Sequence, residues 1–170
     1  MRVMPQHVRK LALTLHVLSS VGWCGAVAGF LALALAGLQG TDVTTVRSAY
    51  PSMNLITNFV IVPMSLGSLL TGVASSVGTP WGLIRHYWVI AKLVVTSVST
   101  ALLLLHTRVI EYMAVVAARG SVSGDNYRSL RIQLAADAAA AIVALVVTTA
   151  LGIYKPRGVT AAGRRHVAVG

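Results

Sequence analysis

Between Lys10 and Asp42 the chain carries no Asp, Glu, Lys or Arg. A run of that length leaves few ways to fold. About 20 apolar residues cross a bilayer core as an α-helix, and backbone amides in hydrocarbon must find their hydrogen bonds within the segment itself. The run also outlasts the ~7–15 residue core of a secretory signal peptide, so Arg2, Arg9 and Lys10 read as the flank of a retained first helix. Composition points the same way: hydrophobic residues make up 56% of the 170 and charged residues 11%. Soluble domains carry about a quarter charged residues, so the expected solvent is a bilayer.

Four segments qualify as spans. The first covers roughly 9–38 and closes at Gly37, Gly40 and the polar QGTD. The second covers roughly 52–77, after Tyr50-Pro51, with a kink expected at Pro63 and an end in GTPWG. The third covers roughly 84–118 and ends in the turn-forming RGSVSGDN. The fourth covers roughly 126–154 and stops at Tyr154-Lys155-Pro156, leaving residues 156–170 as a basic tail expected to be disordered. With no repeat and no linker, the expected fold is all-α: one integral membrane four-helix bundle, running up-down-up-down.

Basic residues set the orientation. Arg2, Arg9, Lys10, Arg85, Lys155, Arg157, Arg164 and Arg165 would share one side, eight in all. Arg47, Arg119 and Arg128, joined by Arg108 and Arg131 at helix ends, would share the other, and the positive-inside rule then makes both termini cytoplasmic. The net charge of +10 is thus read as contact with headgroups rather than with nucleic acid. Only two Phe are present, and no aromatic–basic interleaving suggests RNA binding. The single cysteine, Cys24, can form no internal disulfide and reads as a small buried hydrophobe. No catalytic triad, paired carboxylates, phosphate loop or HExxH motif points to hydrolysis.

Polar side chains at membrane depth carry the functional information, because lipid offers them no partners. Arg85, Lys92, Ser99 and His106 recur at seven-residue spacing on one face of the third span, joined by Thr96. His16, Ser20, Trp23, Val27 and Phe30 share a face of the first, and Asn54, Asn58, Ser65, Ser68 and Ser75 form a stripe on the second. Asp137 and Thr148 are the main polar residues of the fourth. His16 and Lys92 each fall about two turns past the same end of their helices, so they form a depth-matched inner pair. His106 and Asp137 form an outer one. The plain alternatives are snorkelling of the Lys92 amine to headgroups, a solvated helix end for His106, pairing of Asp137 with Arg131, Arg108 or His106, and interhelical hydrogen bonding by the hydroxyls.

A histidine on the inner face of such a bundle suits axial ligation of haem b, and a lysine at its depth suits a propionate. The same residues are compatible with a copper or proton pathway, or with a non-catalytic subunit or scaffold. LHVLSSVGWCG, residues 15–25, resembles the opening helix of small bacterial membrane proteins that include CopD-type copper-resistance domains and HemJ-type protoporphyrinogen oxidases. WVIAKL, residues 88–93, is similar to the W-x-x-x-K-L pattern of the HemJ type. Overall the chain looks like uncharacterised four-helix membrane proteins of actinomycete-like, high-GC bacteria, which share the LHVL…W and WGL-RHYW-KL phrases, a likeness that covers the first and third spans. The HemJ resemblance implies haem ligation by His16 and an essential Lys92; it departs at Ile90, where that family has a histidine, and in lacking an Arg after the first helix's Gly. The expected site is therefore a haem b or porphyrin pocket of His16, Lys92, Trp23 and Trp88, with His86 or His106 as second ligand. The expected setting is a bacterial inner membrane, with lipid and a homo-oligomer or membrane complex as partners.

Overall fold

The structure, a computed structural model, describes residues 4–40, 42–77, 83, 85–120, 127–156, 158 and 160. The described residues form helices and no strand. They are α1 (Gln6–Gln39), α2 (Val43–Ile56), a π-helical turn (Thr57–Ile61), α3 (Val62–Val77), α4 (Tyr87–Ala118) and α5 (Arg128–Tyr154). Since α2, the π turn and α3 run on as one rod, Val43–Val77, there are four helices long and apolar enough to cross a membrane. GTPWG, the turn cluster at 121–126, the cations Arg2, Arg157, Arg164 and Arg165, and most of the tail lie outside the described residues.

The second helix starts well before Pro51, which lies inside it. Asp42 explains the difference. Its carboxylate accepts from the Thr45 backbone N–H at 2.8 Å and from Thr45 Oγ1 at 2.8 Å, satisfying donors that a helix start leaves orphaned. Proline interrupts one bond in the first half of a long helix, while Val46, Tyr50 and Met53 around it bury their side chains in the core. Pro63 acts further along. It cannot donate to the Phe59 carbonyl and its ring crowds that oxygen, and the widened turn just before it, with Val62 N–H bonded to Thr57 O, relieves the conflict. The extra residue swings the face by about 100°. Asn58 therefore points outward, bonding back to Asn54 at 2.9 Å, while Ser65 and Ser68 are buried. The expected Asn–Ser stripe is in fact two stripes.

Each rod packs on two neighbours, in the ring α1, α2–α3, α4, α5. Trp23, Val27, Phe30, Met53, Ile61, Ile110, Met113 and Leu134 fill its centre. Large apolar side chains cover the outside, with Phe59, Leu70, Leu105 and Ile153 among the most exposed. That pattern suits a lipid solvent, which leaves van der Waals packing and polar contacts to hold the helices together.

Two arginines join rods end to side. Arg131, on α5, donates to Tyr50 Oη at 3.0 Å, to Leu38 O at 3.1 Å and to Gly37 O. Arg47, on α2, donates to Ala118 O at 2.7 Å. Both put a cation on the last carbonyls of another helix, where orphan acceptors and the negative dipole end favour it. At the end of α4, Gly120 takes φ +77 and its N–H bonds Ala117 O at 3.0 Å, a left-handed stop that suits glycine. These contacts also show that successive rods run in opposite directions.

Tyrosines mark the ends. Tyr87 and Tyr154 are exposed at one end; at the other Tyr112 and Tyr127 pack rings 6.3 Å apart. Tyr87 and Tyr112 lie about 38 Å apart along α4 at 1.5 Å per residue, matching a ~30 Å core plus part of each interface. A bilayer bounded by these tyrosines would have its midplane near Ser99.

Candidate functional site

His16 is held by the helix it faces. Its Nδ1 lies 3.0 Å from Ser68 O and 3.3 Å from Thr71 Oγ1. A carbonyl only accepts, so Nδ1 carries the proton. Thr71 already donates to Gly67 O at 2.6 Å and can only share its oxygen. Nε2 therefore keeps its lone pair, and no hydrogen-bond partner reaches it among the described residues. This backbone-anchored tautomer is the one that orients histidines for metal ligation. Gly72 makes it possible, since a Cβ there would lie 3.0 Å from His16 Cε1. Ser20 Oγ, one turn along, shares a 2.8 Å bond with Ser68 Oγ and fixes the register of α1 on α3.

Lys92 faces the same interior. Its Nζ would lie 2.9 Å from a Cβ on Gly152. Lys92 sits about 11 Å from the midplane along α4, and Gly152 about 17 Å from it along α5. The ammonium thus climbs roughly one helical turn toward the interface, but between helices rather than along the lipid face. Lys155 reaches the same space from a left-handed backbone, φ 42, unusual for a residue with a Cβ.

Together these groups line a cavity of about 500 Å³, within the ~300–1,000 Å³ common for small-molecule sites. Arg9, Lys92 and Lys155 supply its positive charge, with His16, Trp88, Ser68, Ser75 and Thr96 also on its wall. No carboxylate lines it among the described residues. The four acids of the chain are Asp42, Glu111, Asp125 and Asp137, and the described three lie elsewhere. Ser75 Oγ is buried and has no hydrogen-bond partner among the described residues. A desolvated hydroxyl and the enclosed Lys92 ammonium, which meets no carboxylate among the described residues, each cost free energy, so both raise the stability to be gained from an anionic, hydrogen-bonding occupant.

His16, Lys92 and Trp88 of the expected set come together here. His86 is the N-cap of α4, its ring 6.4 Å from that of Trp88, and is not on the cavity wall. Trp23 and His106 line a second, more apolar cavity of about 290 Å³ nearer the opposite end. His106 lies about 21 Å beyond Lys92 along α4, too far to share one iron with a group in the first cavity. The seven-residue face of α4 is real, but it is divided: Lys92 and Thr96 face the first cavity, Ser99 and His106 the second. Asp137 pairs with His106, Oδ2 to Nε2 3.2 Å. Among the described residues no three His, Cys, Asp or Glu side chains cluster as a metal site.

Gly72 and Gly152 were not expected from the sequence, and Ser75 and Lys155 entered it only as a stripe hydroxyl and an orienting cation, not as residues of this site. The signal for the glycines was their place inside apolar helices, where glycine is otherwise unfavourable. Compared with models of known families, with curated proteins and with solved structures, the chain matches none.

Proposed function

We propose that the chain is a multi-pass protein of a bacterial cytoplasmic membrane, with both termini inside, that binds an anionic tetrapyrrole in the first cavity. The observation that carries this reading is a cation-lined cavity, with no carboxylate on its wall among the described residues, in which His16 keeps Nε2 uncommitted. Haem b fits that donor set. His16 Nε2 is the group available to iron, while Lys92 and Arg9 would meet the propionates, with Lys155 adding positive charge to the same wall. Bound haem would supply one-electron redox chemistry; the chain's own part is to hold, orient and neutralise the ligand. An iron-free porphyrin would use the cations alone. Arg9 and Lys10 at the same end as Lys155 support the cytoplasmic assignment of that end.

A pure scaffold is less well supported. Helix packing gains nothing from an amine enclosed between helices, and replacing such a group with an apolar one is often neutral or stabilising.

The test is titration of purified protein in detergent with haem and, separately, with protoporphyrin. Both should bind saturably. His16→Ala should abolish the axially ligated haem spectrum but keep porphyrin binding, while Lys92→Met should weaken both. Failure of both ligands to saturate rejects the proposal.

A further inference from the structure

The second cavity has a different chemistry. Its wall is apolar, with Trp23, Phe30, Leu103, Ile110 and Leu134 prominent. It exists because α5 sets alanines, Ala138 and Ala141 among them, against the leucines of α4. At its edge sit His106 and Asp137, with Gln133 one turn away. His106 Nδ1 bonds Leu102 O at 2.8 Å, which fixes the ring and places the proton of the neutral form on Nδ1. Nε2 is then the working atom, 3.2 Å from Asp137 Oδ2 and 3.3 Å from Gln133 Nε2.

On the tyrosine scale His106 lies about 10 Å from the midplane and Asp137 about 5 Å, well inside a ~30 Å core. Ionisable groups at that depth are costly. Yet the two side chains remain 28% and 46% exposed, on a surface that lipid would otherwise cover. A ligand that enters from the bilayer and bonds this pair would remove that cost. It must be apolar enough to partition into lipid, and must carry an oxygen at one end. The cluster can serve either protonation state of such an oxygen. The Gln133 amide donates to a carbonyl, and His106 Nε2 or the Asp137 carboxylate accepts from a hydroxyl.

We propose that the second cavity binds a lipid-soluble quinone-type ligand, its ring oxygen at His106–Asp137 and its ring against Trp23. A quinone and its quinol present those two oxygen states, which a simple ester or alkane does not. This site shares no residue with the tetrapyrrole cavity, so either proposal can fail alone.

Trp23 supplies the readout. In protein carrying Trp81→Phe and Trp88→Phe, decyl-ubiquinone should quench Trp23 emission saturably, whereas decane of equal chain length should not. His106→Leu should weaken binding at least ten-fold, and His106→Gln, which keeps a polar partner, should weaken it less. Ala141→Leu, which fills the cavity and leaves the polar pair intact, should abolish saturation while the protein keeps its thermal stability. Quenching that stays linear in quinone, or one saturation curve shared by all variants, would overturn the proposal.

Discussion

Arg131→Met should loosen the bundle at the end away from the cationic cavity. The guanidinium bonds Tyr50 Oη, Gly37 O and Leu38 O, so its loss leaves a buried phenol and two terminal carbonyls of α1 without their donor. Tyr50 is only 1% exposed, so water cannot replace the lost partner there. The two carbonyls end a helix near the interface, where water can. One orphaned buried hydroxyl costs about 1–3 kcal/mol, and bonds from a charged donor are worth about 1.5–3 kcal/mol each before solvent compensation. Since the bonds share one side chain and are not additive, the expected loss is about 2–4 kcal/mol. Reversible unfolding in mixed micelles, followed by helix signal, measures it. Tyr50→Phe should cost less, and the double variant should reveal a coupling of about 1–2 kcal/mol. A change within ~0.5 kcal/mol for Arg131→Met, or no coupling, would refute this account of how α5 holds α1.

Gly37→Ala should destabilise the same junction by about 1–3 kcal/mol, as overpacking does, because its Cβ would meet the buried Tyr50 ring at 2.9 Å from Oη and 3.0 Å from Cζ; the same unfolding assay checks it. Asp42 gives a pH dependence. The bonds from Thr45 backbone N–H, then Thr45 Oγ1, then the Thr44 backbone hold its carboxyl below the usual carboxylate range. The cap's contribution is therefore complete above the unfolded value of about 3.9 and disappears as pH falls through the lower folded value. Asp42→Asn, which caps without titrating, should flatten the difference in melting temperature between pH 6 and pH 3. Lys92→Met should leave melting temperature unchanged or raised, since it removes an enclosed cation, yet reduce tetrapyrrole affinity about ten-fold or more by deleting a charge-assisted contact.

The four rods were legible because hydrocarbon imposes a length and an apolarity that composition alone displays. His16 and Lys92 were legible as a pair because helical rise converts sequence offset into depth, and they do line one cavity. Other features depend on tertiary geometry. Arg47 and Arg131 look like loop and helix-end cations until the carbonyls they cap, from residues far away in the chain, are in view. Pro63 announces a disturbance, but not that a π turn will resolve it and rotate Asn54 and Asn58 off the serine face. His106 shares a helical face with Lys92, and only the division of the bundle interior into two cavities separates their roles.

The proposed tetrapyrrole binding rests on His16 Nε2, which the Ser68 carbonyl leaves free in the cationic cavity. It is tested most directly by the absorption spectrum of the purified protein titrated with haem, beside His16→Ala. A saturable Soret shift at one haem per chain is expected in the parent, and its loss in the variant. A parent spectrum that never departs from free haem, or a shift that survives His16→Ala unchanged, would contradict it.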